Sequence, residues 1–162
     1  MRGSERFTQR ASTAITKAHD AALGMGHSYV GTEHLLLGII REGEGLGARI
    51  LTDNALTDAV LTRMVTETVG RGVPGAPEQG LSPRARHVIE LAAEDANRLG
   101  HCYVGTEHIL MGILREADSA GARIIVAAGG DLNKIYTDIM DVFGRPEYKP
   151  RPQQGAPRTQ PR

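Results

Sequence analysis

Tyr29-Val30-Gly31-Thr32-Glu33-His34 returns letter for letter as Tyr103-Val104-Gly105-Thr106-Glu107-His108, 74 positions further along. The same offset carries the flanking sequence. Phe7, Ala11, Ala14, Ile15, Ala18, Ala22 and Met25 map onto Leu81, Ala85, Val88, Ile89, Ala92, Ala96 and Leu99, apolar onto apolar throughout. Gly38 maps onto Gly112, Arg41-Glu42 onto Arg115-Glu116, and Gly47-Ala48-Arg49-Ile50 onto Gly121-Ala122-Arg123-Ile124. Units of this length exceed a solenoid repeat, so the chain is a duplicated small domain.

Apolar residues three and four apart predict an amphipathic first helix in each unit. Thr8 and Ser82 stand where N-caps belong, and Pro83 suits the first helical position. Thr32 and Thr106 are expected to cap second helices carrying Leu35, Leu36, Ile39 and Ile40, and Ile109, Leu110, Ile113 and Leu114. Leu46–Leu51 and Ala120–Val126 predict short third helices. Thr57 and Asp131 cap fourth helices carrying Leu61, Val65 and Val69, and Ile135, Ile139 and Phe143. No stretch alternates as a strand does. The expected fold is all-α: two pseudo-twofold-related four-helix repeats in one compact domain. The units are residues 1–70 and 82–144, joined by a turn-rich linker at 71–81 and followed by a disordered Pro/Arg-rich tail at 145–162.

Glycine inside a helix costs about 1 kcal/mol against alanine. Gly38 and Gly112 occupy one site twice, which predicts a close helix crossing there.

Composition narrows the function. Lys+Arg and Asp+Glu are both 19, so the folded part lacks the basic excess of a nucleic-acid binder. No apolar run reaches transmembrane length. Cys102 stands alone, which fits a reducing, cytoplasmic setting and leaves no pair for zinc. The lysines are Lys17, Lys134 and Lys149, none in a P-loop, and no Gly-x-Ser-x-Gly or His-Glu-x-x-His occurs. No cofactor is expected. His27, His34, His101 and His108 form two matched pairs, read as closing the loop and first turn before each second helix rather than as metal ligands.

Glu33 and Glu107 sit in the first turn of the second helices. Complementing the helix dipole explains such an acid adequately, at about 0.3–1 kcal/mol. The functional reading places each carboxylate at a shallow site shared with the first helix of its own unit. Thr8 or Ser82 and nearby backbone N–H groups would hold an anion there. Such a site suits a ligand with both signs, for instance a guanidinium bearing a phosphoryl group.

Glu5-Arg6-Phe7-Thr8, Gly31-Thr32-Glu33-His34-Leu35-Leu36-Leu37-Gly38, Arg41-Glu42-Gly43-Glu44-Gly45 and Ser82-Pro83-Arg84-Ala85 resemble the N-terminal domain of ClpC-type Clp ATPases. The resemblance spans roughly residues 4–144. It implies a non-catalytic module that docks Clp adaptor proteins and phosphoarginine-marked clients, and in some members cyclic-peptide antibiotics. Carried over to this chain, it makes Glu33, Glu107, Thr8 and Ser82 ligand-binding, with Thr32 and Thr106 in the same motifs. The chain departs from the family at Arg115-Glu116-Ala117-Asp118-Ser119 and at Ser4, where an aromatic is common. The resemblance also allows a free-standing homologue that sequesters antibiotics or competes for adaptors. Two other classes remain open. One is a phosphoarginine hydrolase, for which no nucleophile or base accompanies the glutamates. The other is a DNA-associated regulator using the basic tail.

Overall fold

The computed structural model describes residues 6–146 and 148. The expected tail therefore falls mostly outside the described residues. Among the described residues the full helices follow in the order α1 (Gln9–Gly24), α2 (Thr32–Glu42), α3 (Leu46–Asp53), α4 (Asp58–Thr68), α5 (Pro83–Arg98), α6 (Thr106–Arg115), α7 (Ala120–Ala127) and α8 (Leu132–Phe143). Four fall in each repeat, as the duplicated pattern requires. The fold is all-α, and among the described residues only isolated bridges stand in for strands.

Local chemistry sets the helix starts. Thr8 and Ser82 accept the N–H groups of Ala11 and Ala85, at 3.0 and 3.1 Å. Thr57, Ser119 and Asp131 cap α4, α7 and α8 in the same way. The second helices differ from expectation. Gly31 and Gly105 are their N-caps, and Thr32 and Thr106 are already helical. A glycine has no capping side chain, so the work passes to the imidazole three residues on. The N–H groups of Gly31 and Gly105 each donate to Nδ1 of His34 and His108, at 2.9 Å.

That frees the two threonines for another task. Thr32 Oγ1 accepts the Gly121 N–H at 2.7 Å, and Thr106 Oγ1 accepts the Gly47 N–H at 2.9 Å. Each bond joins the start of a second helix to the start of the third helix in the other repeat. All four residues are buried. The repeats are thus bolted together through two equivalent hydrogen bonds.

The core is one continuous apolar cluster drawn from both repeats, with α2 and α6 buried almost all round. The buried residues of α1 include Ala11, Ala14, Ala18, Ala21 and Ala22, and its backbone at Ala14 and Ala18 comes close to Gly38 of α2. A Cβ added at Gly38 would run into the Ala14 carbonyl oxygen, and one at Gly112 would lie 2.8 Å from the Val88 carbonyl oxygen. The expected close crossing is present in both repeats, tighter in the first.

Candidate functional site

Two short parallel contacts decide which groups meet. Phe7 bridges Val104, with the Thr8 N–H donating to the Val104 carbonyl at 2.9 Å. Val30 bridges Leu81, with the Ser82 N–H donating to the Val30 carbonyl at 2.9 Å. The start of each first helix therefore lies against the Gly-Thr-Glu-His loop of the other repeat. This corrects the expectation that each glutamate shares a site with its own unit's first helix. Ser82 accompanies Glu33, and Thr8 lies beside the loop that leads to Glu107.

The site around Glu33 is an open cleft of roughly 300 Å³. Three helix starts line it: Gly31-Thr32-Glu33 of α2, Ser82 and Arg84 of α5, and Ser119-Ala120 of α7, with Tyr29 at the side. Helix N-termini carry partial positive charge, so their convergence favours a negative group. Glu33, 12% exposed, supplies the opposite sign within the same cleft.

The sequence pattern alone does not mark Arg84, Tyr29 or Asp118 as residues of a site. The Arg84 guanidinium donates to Asp118 at 2.9 Å and lies 3.4 Å from Glu116. It holds the Asp118 carboxyl below its usual range, chiefly through that hydrogen bond. In the first repeat Arg10 stands where Arg84 stands in the second. It donates to the Glu44 carbonyl at 2.6 Å and lies 3.8 Å from the Glu44 carboxylate and 4.0 Å from Glu42. The signal was in the repeat itself: Arg10 and Arg84 occupy matching positions, two residues after Thr8 and Ser82.

Thr32 borders the cleft, yet its hydroxyl oxygen is engaged by Gly121, as that of Thr106 is by Gly47. Thr8 and Ser82 likewise spend an oxygen lone pair on helix capping. A hydroxyl keeps a second lone pair and its own proton, so capping leaves Ser82 able to face a ligand.

The two glutamates differ in surroundings. Glu107 is buried at 4% exposure, and its Oε2 accepts the Tyr148 hydroxyl at 2.6 Å. Burial pushes the Glu107 carboxyl above the usual carboxylate range, against the opposing effect of that hydrogen bond. The Tyr148 ring rests against His101 and Phe143, with both ring centroids 5.1 Å away.

Behind the glutamates run the two histidine pairs, in the role expected of them. Because His34 Nδ1 accepts from the Gly31 N–H, its proton sits on Nε2 and points to His27 Nδ1, 2.7 Å away. His27 Nε2 then donates to the Gly70 carbonyl at 2.7 Å, tying the end of α4 to the loop before α2. His108 and His101 repeat the contact at 2.8 Å. Burial, with His27 and Arg41 adding positive potential, lowers His34 to about 4. Burial foremost, then His101, lowers His108 to about 3. Both are therefore neutral near pH 7. Among the described residues no three His, Cys, Asp or Glu side chains are grouped as a metal site would need. No described helix is long and apolar enough to cross a membrane.

Known proteins share this architecture. The Clp repeat (R) N-terminal domain family matches residues 6–128 and 80–161. The negative regulator of genetic competence ClpC/MecB of Bacillus subtilis (strain 168) is 42% identical over 142 residues, which are 88% of this chain and 18% of that protein. The chain thus spans under a fifth of the length of the curated relatives it matches. Among solved structures, the N-terminal domain of the caseinolytic protease associated chaperone ClpD from Arabidopsis thaliana has 25% identity and a TM-score of 0.71. It covers 85% of this chain and 96% of that one. A complex of the ClpV N-domain with a VipB peptide matches the fold with a TM-score of 0.68 at 14% identity, covering 87% of this chain and 89% of that one. With a duplicated four-helix unit, a family model matching both repeats and relatives of this identity, the chain belongs to the Clp repeat N-terminal domain family.

Proposed function

We propose that this chain is a recognition module without bond-making chemistry of its own, which docks client and adaptor proteins of a Clp chaperone system and takes phosphoarginine at Glu33, with Glu107 as the matched second site. The observation that carries the reading is the pairing of opposite signs in the Glu33 cleft. The Glu33 carboxylate stands beside three converging helix N-termini, the Ser82 hydroxyl and the Arg84 guanidinium, the last held in place by Asp118 on the same rim. A phosphorylated guanidinium presents both partners at once: planar N–H donors for Glu33, and phosphoryl oxygens for the helix starts and Arg84. A plain arginine lacks the anion and a phosphoserine lacks the cation, so the cleft selects against both. The ClpV N-domain bound to a VipB peptide supports peptide docking as a use of this fold.

Calorimetric titration with phosphoarginine tests the reading. Binding is expected for the wild type and lost in the Glu33→Ala plus Glu107→Ala double variant. Equal heats in the two proteins would remove the pocket assignment. Free phosphate appearing during the same incubation would instead favour a hydrolase.

A further inference from the structure

The two repeats are alike in motif but unlike in access. After α8 the chain turns back, with the Tyr148 N–H donating to the Arg145 carbonyl at 3.0 Å. This lays the Tyr148 ring on His101 and Phe143 and aims its hydroxyl at Glu107. The separation of 2.6 Å is that of a hydrogen bond strengthened by charge. In the first repeat the matching position is Pro74, which has no hydroxyl, and Glu33 lies on an open cleft. We propose that Tyr148 is an intramolecular occupant of the Glu107 site, so that the resting chain offers one open ligand site, at Glu33, and the second opens only when Tyr148 is displaced.

The chemistry is a competition for one acceptor. Burial makes each hydrogen bond to the Glu107 carboxylate valuable, and beside its own backbone N–H the Tyr148 hydroxyl is the side-chain donor it holds. The phenol supplies one neutral O–H. Glu107 is buried with the Tyr148 hydroxyl on its Oε2, so a ligand bringing charged guanidinium N–H groups to that oxygen must first displace the phenol. Tyr148 therefore lowers the apparent affinity at Glu107 by the fraction of time it is docked. A client carrying two modified arginines would meet an open site first and then displace the tyrosine at the second, at the high local concentration that tethering supplies. The whole inference rests on Glu107 and Glu33 being phosphoarginine sites.

The test is titration of free phosphoarginine into Glu33→Ala, which isolates the Glu107 site, and into Glu33→Ala carrying Tyr148→Ala or Tyr148→Phe. The phenylalanine variant keeps the ring on His101 and Phe143 while deleting the hydroxyl, so folding is retained if the alanine variant fails. Removing Tyr148, or its hydroxyl alone, is expected to tighten binding at Glu107 by about tenfold or more. Wild type carrying Tyr148→Ala is expected to move from one strong equivalent to two. If the Glu33 site binds but Tyr148→Ala and Tyr148→Phe leave the Glu107 affinity unchanged, the occupancy proposal is overturned and the ligand reading stands. If the wild type shows two equal sites, the proposal also fails. Absence of heat in every protein overturns the ligand reading, and the proposal with it.

Discussion

Thr32 and Gly121 meet across the repeat boundary, the threonine hydroxyl accepting the glycine N–H at 2.7 Å in a buried position 89 residues away along the chain. Thr106 and Gly47 repeat the contact. A threonine placed at the start of a helix reads as a cap, yet here histidine does the capping and threonine holds the repeats together. Thr32→Val keeps the shape and leaves a buried N–H without a partner. It should destabilise the protein by about 1–3 kcal/mol, as should Thr106→Val, measured by urea denaturation. Values within a few tenths of zero for both would show that the bolts carry no weight.

The helix crossings predict a ranking. Alanine in a free helix interior is better than glycine by about 1 kcal/mol, so any loss measures the clash. Gly38→Ala meets the Ala14 backbone itself, whereas Gly112→Ala faces a looser contact with Val88. Overpacking costs of about 1–3 kcal/mol place Gly38→Ala at the severe end, with Gly112→Ala milder. Denaturant midpoints in the reverse order would contradict the tighter first crossing.

Stability should fall with acid. In the unfolded chain His34 and His108 take up protons near 6.5, but when folded they resist until about 4 and about 3. Between those limits the unfolded state binds more protons, so each histidine removes about 1.4 kcal/mol per pH unit as the pH drops. The contribution is fully present above 6.5. Glu107 has the opposite sign, since its raised carboxyl favours the protonated folded form, and it offsets part of the loss only above the ordinary carboxylate range. Melting temperatures followed from pH 7 to pH 4 should therefore decline, and a flat profile would mean the imidazoles are not held neutral.

The exchange of partners between repeats is testable through binding. On a Glu107→Ala background, which leaves the Glu33 cleft, Ser82→Ala should weaken phosphoarginine by about tenfold while Thr8→Ala leaves it unchanged. Both variants lose an N-cap at a cost of about 1 kcal/mol, so titration at a temperature where each remains folded separates affinity from stability. Weakening by Thr8→Ala in place of Ser82→Ala would restore the within-repeat arrangement.

Much of the architecture was legible because the duplicated pattern carries it locally. Periodicity marked helices α1 to α8, Thr8, Ser82, Thr57 and Asp131 marked four of their starts, and Gly38 with Gly112 marked the crossings. His27 and His34 were readable as a loop closure because both lie in one short segment, seven residues apart. Thr32 reads as a cap in the sequence because Gly31 gives no sign that an imidazole will cap in its place.

By itself the sequence determined the helices, the twofold repetition and the two acidic motifs, all of which follow from residues within a few positions of one another. Only the tertiary structure decided that Ser82 lines the cleft of Glu33, that Arg84 and three helix starts share that cleft, and that Tyr148 sits on Glu107. Those pairings join segments tens of residues apart. They are selected by how two apolar faces pack against each other, and local periodicity holds no record of that choice.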